Sequence, residues 1–274
     1  MPRTARNGGV YGRPSGSLQH PHCLKHPVGI ASCGQNSALF DNHSQYQLLV
    51  AYANAQDAVP MVIKEAIQDA LDASLENVPE LEGRTWVMVD VSGSMESPVT
   101  GTRPGASSKV KCVDVAALIA SALLRKNRDA GVVVFNTVAR HVALNPRDSV
   151  VSNTQKLASM LGGGTAISSG FDLLNQEGAA GDTVIVVSDN ESWADTSEGA
   201  TATMRAWELF RQRNPKARMV CIDLQPYATV QAAPRADILH VGGFSDAVFD
   251  LLASFAAGQM GSGFWESEVE QITL

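Results

Sequence analysis

TWVMVDVSGSM, residues 85–95, is an apolar run that ends in a carboxylate, Asp90, and breaks into Val91-Ser92-Gly93-Ser94. Asp90, Ser92 and Ser94 are spaced two residues apart. In extended or gently turning chain that spacing sends all three oxygen-bearing side chains to one side, and Gly93 gives the backbone freedom to turn between them. An apolar strand ending in converging oxygens suits a hard divalent cation.

Two further stretches carry the same signature. Leu161 to Thr165 reads LGGGT, a glycine-rich loop that delivers one hydroxyl, Thr165. Val184 to Asp189 reads VIVVSD, a second apolar strand that ends in a carboxylate, Asp189. In an open α/β sheet, ligands collect outside the carboxyl ends of the strands where the strand order reverses. Asp90, Ser92, Ser94, Thr165 and Asp189 are therefore expected to meet at one ion, Mg2+ or Mn2+.

Around these stretches short apolar runs alternate with helical patterns. Strands are expected at Thr85–Val91, Gly131–Asn136, Arg140–Leu144, Thr183–Ser188, Arg218–Asp223 and Ile238–Val241. Helices are expected at Lys109–Lys126, Ser149–Met160, Ser168–Asn175, Gly199–Gln212 and Asp246–Ala256, with Pro60 opening an earlier one. The stripe Ile63, Ile67, Ala70, Leu71, Ser74 and Leu75 gives that earlier helix an apolar face. Val132 to Phe135 and Val184 to Val187 are continuous apolar runs, as in strands covered on both faces. Val113 to Leu124 is apolar nearly all round, as in a buried helix. The alternation predicts a doubly wound, mostly parallel sheet with helices on both faces. The close pair of runs around Asn136-Thr137 adds one antiparallel edge strand.

The ordered set of Asp90, Ser92, Ser94, Thr165 and Asp189 resembles the metal-ion-dependent adhesion site of von Willebrand factor A domains, over roughly Thr85 to Ala256. The polar insertion between Val91 and the helix up to Asn127, together with SDNESW at Ser188 to Trp193, looks like the C-terminal A domain of the Ro autoantigen (TROVE) ribonucleoprotein family. QYQLLVAYANA at Gln45 to Ala55, and VPELEGRT after the helix, resemble the family's junction between its RNA-binding ring and its A domain. No part of the sequence matches the ring. The resemblance implies hydroxyl ligation by Ser92, Ser94 and Thr165, with Asp90 and Asp189 acting through water or hydrogen bonds. It implies small noncoding RNA as the partner of the ring, and a metal-binding A domain that is not an enzyme.

Domain organisation follows. Residues 1–43 are rich in Gly, Pro, Ser, His and Asn and are read as a disordered tail; 44–83 form a junction helix segment, 84–258 the A-like domain and 259–274 a C-terminal extension. In the tail His20, His22, Cys23, His26 and Cys33 follow no standard zinc spacing. The net charge is −7; with Arg3, Arg6, Arg13 and Lys25 set against Asp41 alone, the chain after residue 45 stands at −10. Such an acidic domain does not by itself attract nucleic acid. No apolar run is long enough to cross a membrane, MPRTARNGG lacks the core of a secretory signal, and four scattered cysteines form no CxxC pair. A reducing cytoplasm is the expected compartment.

Other chemistries fit poorly. LGGGT lacks the GK[ST] ending of a phosphate-binding loop, and Ser92 lies in no GxSxG elbow. A phosphatase of the haloacid dehalogenase type needs a second Asp where Ser92 stands, which removes the general acid. Glu96 and Glu191 are expected to be exposed loop residues, His141 and His240 satisfied structural histidines, and Trp193 and Trp207 core residues. The remaining alternative is a stand-alone interaction module that docks an acidic partner protein at the metal.

Overall fold

The computed structural model describes residues 45–55, 59–75, 78–101, 108–189, 200–226 and 235–260, all within one unit of the chain, residues 38–274. Readings placed on residues 1–43, Glu191, Trp193 and most of 259–274 fall outside the described residues.

Among the described residues six strands form one sheet: β1 (Thr85–Asp90), β2 (Gly131–Phe135), β3 (Ala139–His141), β4 (Thr183–Ser188), β5 (Arg218–Asp223) and β6 (Ile238–Gly242). Their order is β3-β2-β1-β4-β5-β6. All neighbours are parallel except β2 and β3. The doubly wound sheet with one antiparallel edge strand is therefore as expected. From β1 the chain winds outward to β3 and then returns to β4 on the other flank of β1. The strand order reverses between β1 and β4, and the crevice lies at their carboxyl ends.

Seven described helices flank the sheet: α1 (Gln45–Asn54), α2 (Met61–Ser74), α3 (Cys112–Lys126), α4 (Val150–Ala158), α5 (Ile167–Gln176), α6 (Ala200–Arg213) and α7 (Ala247–Ala256). The pleat of β1 divides the core. Val87 and Val89 point into one apolar cluster with α1, α2, α3, α4 and α7. Trp86 and Met88 point into the other, with α5 and α6. Trp207 is fully buried there. Helix α3 is buried at every residue from Cys112 to Leu124 except Asp114, which is why its sequence shows no polar face. Gly170 lets α5 lie against the sheet, since a Cβ there would come within 2.3 Å of Met88 Cε.

Several boundaries differ from the sequence reading. α3 starts at Cys112 rather than Lys109, because Val110 and Lys111 stay extended: the Val99 amide donates to the Val110 carbonyl, and Pro98 and Lys111 form an antiparallel bridge. β3 ends at His141 and not at Leu144; Val142 makes one more bond, to the Val132 carbonyl, before the chain turns away. Pro60 is the cap and not the first helical residue of α2. Only the second half of the α2 stripe is covered: Ala70, Leu71, Ser74 and Leu75 are buried, whereas Ile63 is exposed. α1 and α2 both lie within the stretch expected as a junction helix segment.

Candidate metal centre

The Asp90 side chain sits at the carboxyl end of β1 and is fully buried. One oxygen accepts the Ser92 backbone N–H at 2.8 Å and the other accepts the Ser188 hydroxyl at 2.7 Å. Those two bonds hold the carboxylate across the β1–β4 crevice. Ser92 is extended, and a 3-10 turn over Gly93–Glu96 follows it. That turn carries Ser94 back, so that the Ser92 and Ser94 hydroxyls lie 3.1 Å apart. The two-residue spacing thus brings the two serine hydroxyls together through a turn. Gly93 itself has an ordinary φ; the positive values fall at Gly162 and Gly163, at 143° and 81°.

The glycine loop is tied to this turn through backbone bonds. The Gly162 amide donates to the Val91 carbonyl at 2.9 Å, and the Gly93 amide to the Gly163 carbonyl at 3.0 Å. Asn136, at the end of β2, donates its side-chain amide to the Gly162 carbonyl at 2.7 Å, and the Ala166 amide returns to the Asn136 carbonyl at 2.8 Å. Positive φ at Gly162 and Gly163 lets the loop fold flat against residues 91–93. The loop ends at Thr165, which is fully buried and whose hydroxyl has no hydrogen-bond partner among the described residues. Other buried hydroxyls without partners, those of Thr85, Ser121 and Thr154, sit within β1, α3 and α4. Thr165 alone among these belongs to a loop stitched onto the serine turn.

Asp189 follows β4 directly and is also buried. Two buried carboxylates therefore stand close together. Burial pushes the Asp90 carboxyl up to about 7, against the bonds from Ser92 and Ser188, and repulsion from Asp189 adds to the rise. Such a pair is relieved by a cation. Among the described residues no group of three or more His, Cys, Asp or Glu comes together, so the oxygens on offer are hydroxyls backed by carboxylates. That donor set, free of sulfur and imidazole, fits a hard ion such as Mg2+, and the unpartnered Thr165 hydroxyl fits the role of a ligand to it.

Two residues that hold the site, Ser188 and Asn136, escape the sequence reading. The register of β1 with β4 runs Val89 to Val187, so the next pair is Asp90 with Ser188; strand counting from the two apolar runs is the signal that finds it. Asn136 follows β2 at its carboxyl end, where an amide bridging two loops leaves no pattern in the chain. Glu96 is exposed, as expected, and pairs with Lys111 at 2.9 Å. His141 is bonded to Glu177 at 2.7 Å. His240 departs from expectation: its Nε2 has no partner, and burial lowers the pKa of its ring. Cys112 and Cys221 are buried and free; burial pushes each thiol up to about 12.

Comparison with known proteins gives concordant results. The sequence model of the Ro60 vWA domain matches residues 84–256. The RNA-binding protein RO60 of Deinococcus radiodurans is 30% identical over 204 residues, which cover 74% of this chain and 37% of that protein. The crystal structure of the Deinococcus radiodurans RO (RSR) protein agrees in fold, with a TM-score of 0.64 at 24% identity, over 85% of this chain and 51% of that one. The chain thus spans about half or less of the length of the relatives it matches.

Proposed function

From the premise that the chain belongs to the Ro60 von Willebrand A domain family, we propose that it is the metal-binding A domain of a Ro-type RNA-binding ribonucleoprotein component. In this reading Ser92, Ser94 and Thr165 hold one divalent cation, Mg2+ or Mn2+. Asp90 and Asp189 supply the compensating charge. The cation provides an electrophilic position that an anionic oxygen from a ligand or partner protein completes. One observation carries the reading: a fully buried, unpartnered Thr165 hydroxyl on a loop bonded through its backbone to the Ser92–Ser94 turn.

The roles of the chain's own residues follow from their bonds. Asp90 fixes the Ser92 amide and is fixed by Ser188, so the serine turn is set before any ligand arrives. Carboxylates behind neutral ligands orient them and hold water, without quenching the charge of the ion. Asn136 locks the glycine loop, and with it Thr165, in register with the serines. The reading assigns binding and not catalysis: the Ser92 and Ser94 hydroxyls face each other, and Thr165 has no base within hydrogen-bond reach. RNA enters through the family, since the relative is named as an RNA-binding protein. Free, buried Cys112 and Cys221 support a reducing, cytoplasmic setting, and no helix among the described residues is long and apolar enough to cross a membrane.

The test is calorimetric titration of the chain with Mg2+ and Mn2+, repeated on Ser92→Ala combined with Ser94→Ala. One binding site in the wild type and none in the folded double variant supports the reading. Equal binding in both removes the serines from the site.

A further inference from the structure

A polar cavity of about 370 Å³ lies away from the metal loop and is lined by Arg125, Arg128, Asn145, Pro146 and Arg147. Its place follows from the topology. α3 begins at Cys112 beside the serine turn, where the Cys112 amide donates to the Ser97 carbonyl. It ends at Lys126, next to the start of β2, and Gly131 pairs with Trp86 at the amino end of β1. A helix of 15 residues is about 22 Å long, so the arginine cavity opens at the amino ends of the strands, roughly that far from the metal loop.

The three arginines are not equivalent. Arg125 is fixed: it donates to the carbonyls of Pro146, Asp72 and Asp148, and pairs with the Asp72 carboxylate at 3.4 Å. Arg128 and Arg147 are exposed, and neither guanidinium has a hydrogen bond or ion pair among the described residues. No carboxylate lines the cavity. Of the acids nearby, Asp72 is engaged by Arg125 and the Val150 amide and Asp148 by the Asn145 amide at 2.7 Å, while Asp129, next to Arg128, is exposed. The rim is rigid, since Asn145 also accepts the Arg147 amide and its carbonyl receives bonds from Asp148 and Asn153. Lys126 adds a fourth positive charge to this end, in a chain whose residues after 45 sum to −10 with these four cations included. Like charges left facing one cavity repel unless an anion sits between them. Planar guanidinium forks match the oxygens of phosphate, and the volume falls at the lower end of small-molecule sites, enough for one phosphate with its sugar.

We propose that the cavity formed by Arg125, Arg128 and Arg147 is an oxyanion site that takes a backbone phosphate of RNA, so that the A domain itself touches RNA at the end remote from its metal loop. The choice of RNA over a free phosphate rests on the reading of the chain as part of an RNA-binding assembly. Arg125 supplies a fixed positive wall, while Arg128 and Arg147 close on the phosphate from the solvent side.

The experiment is fluorescence anisotropy of a labelled single-stranded oligoribonucleotide with the full chain, in EDTA so that the metal loop is silent. It compares wild type with Arg128→Glu/Arg147→Glu, and includes inorganic phosphate as competitor. Both positions are exposed, so the melting temperature serves as the control for folding, and Arg128→Gln/Arg147→Gln is the milder second variant. Affinity is expected to fall roughly tenfold or more in the charge-reversed variant, and the salt slope by about 0.7 for each phosphate that the variant no longer neutralises. Absence of wild-type binding, or equal affinity in wild type and both variants, overturns the proposal. Displacement of the oligonucleotide by inorganic phosphate at matched phosphate concentration overturns the assignment to RNA. Magnesium titration of the same variants separates this inference from the metal reading: the arginine variants keep the metal site, whatever becomes of RNA.

Discussion

Replacing Thr165 by valine should stabilise the metal-free protein and at the same time remove its response to magnesium. Valine keeps the β-branched shape of threonine and exchanges the hydroxyl for a methyl. The Thr165 side chain is fully buried and its hydroxyl has no partner. A buried hydroxyl without a hydrogen bond costs about 1–3 kcal/mol, so Thr165→Val should gain on that order in EDTA. In a domain of this size 1 kcal/mol moves the melting temperature by about 2–4 °C, which places the expected rise at about 2–12 °C. The wild type should gain about 2.7 kcal/mol from magnesium at one hundred times its dissociation constant, whereas the variant should gain almost nothing. Thermal melts of both proteins, in EDTA and in magnesium, read all four numbers. A lower melting temperature for the variant in EDTA, together with an undiminished magnesium shift in the variant, would refute the reasoning: the hydroxyl would then have an internal partner and the ion would bind elsewhere.

Other expectations follow from neighbouring residues. In EDTA the wild type should lose stability as pH rises from about 4 through 7. The folded Asp90 carboxyl, pushed up to about 7 from 3.8, holds its proton more tightly than the unfolded one, and the whole shift corresponds to at most on the order of 4 kcal/mol. Asp90→Asn should flatten that pH profile in denaturant titrations at pH 5 and pH 8; an unchanged profile places the titration in another group. Asn136→Ala removes the tie to the Gly162 carbonyl and should destabilise the domain by about 1–2 kcal/mol while weakening Mn2+ binding several-fold, read by calorimetry. Cys112 and Cys221, whose thiols are pushed up to about 12, should resist alkylation at pH 8 until denaturant is added, as peptide mass mapping will show; rapid labelling of either in the native protein contradicts its burial.

The elements that sequence reading locates best are those whose physics is local. β1 and β4 are apolar on both faces, because helices cover both sides of the sheet, and each run ends in a carboxylate; the run and its terminator are visible together in TWVMVD and VIVVSD. α3 is recognisable because burial on all sides leaves almost no polar residue between Cys112 and Leu124. What is not legible depends on distant partners. The start of α3 is delayed by a bridge between Pro98 and Lys111 that closes across the intervening insertion. The exposed first turn of α2, with Met61, Val62 and Ile63 facing solvent, breaks the rule that an apolar stripe is a buried one. Within the site, Asp90, Ser92 and Ser94 announce themselves by spacing. The hydrogen bond from Ser188 and the clamp by Asn136 arise only once β4 and β2 flank β1. The arginine cavity joins the end of α3 to the turn after β3, two segments that no local pattern links, in a chain whose overall charge argues against anions.

If Ser92, Ser94 and Thr165 share one divalent cation, crystals grown with Mn2+ will show it most directly, through the anomalous signal of the metal. The expected result is one strong anomalous peak at the carboxyl ends of β1 and β4, bonded to the hydroxyls of Ser92, Ser94 and Thr165, with Asp90 and Asp189 behind them. A well-ordered loop without such a peak, or a peak held by other residues, would contradict it.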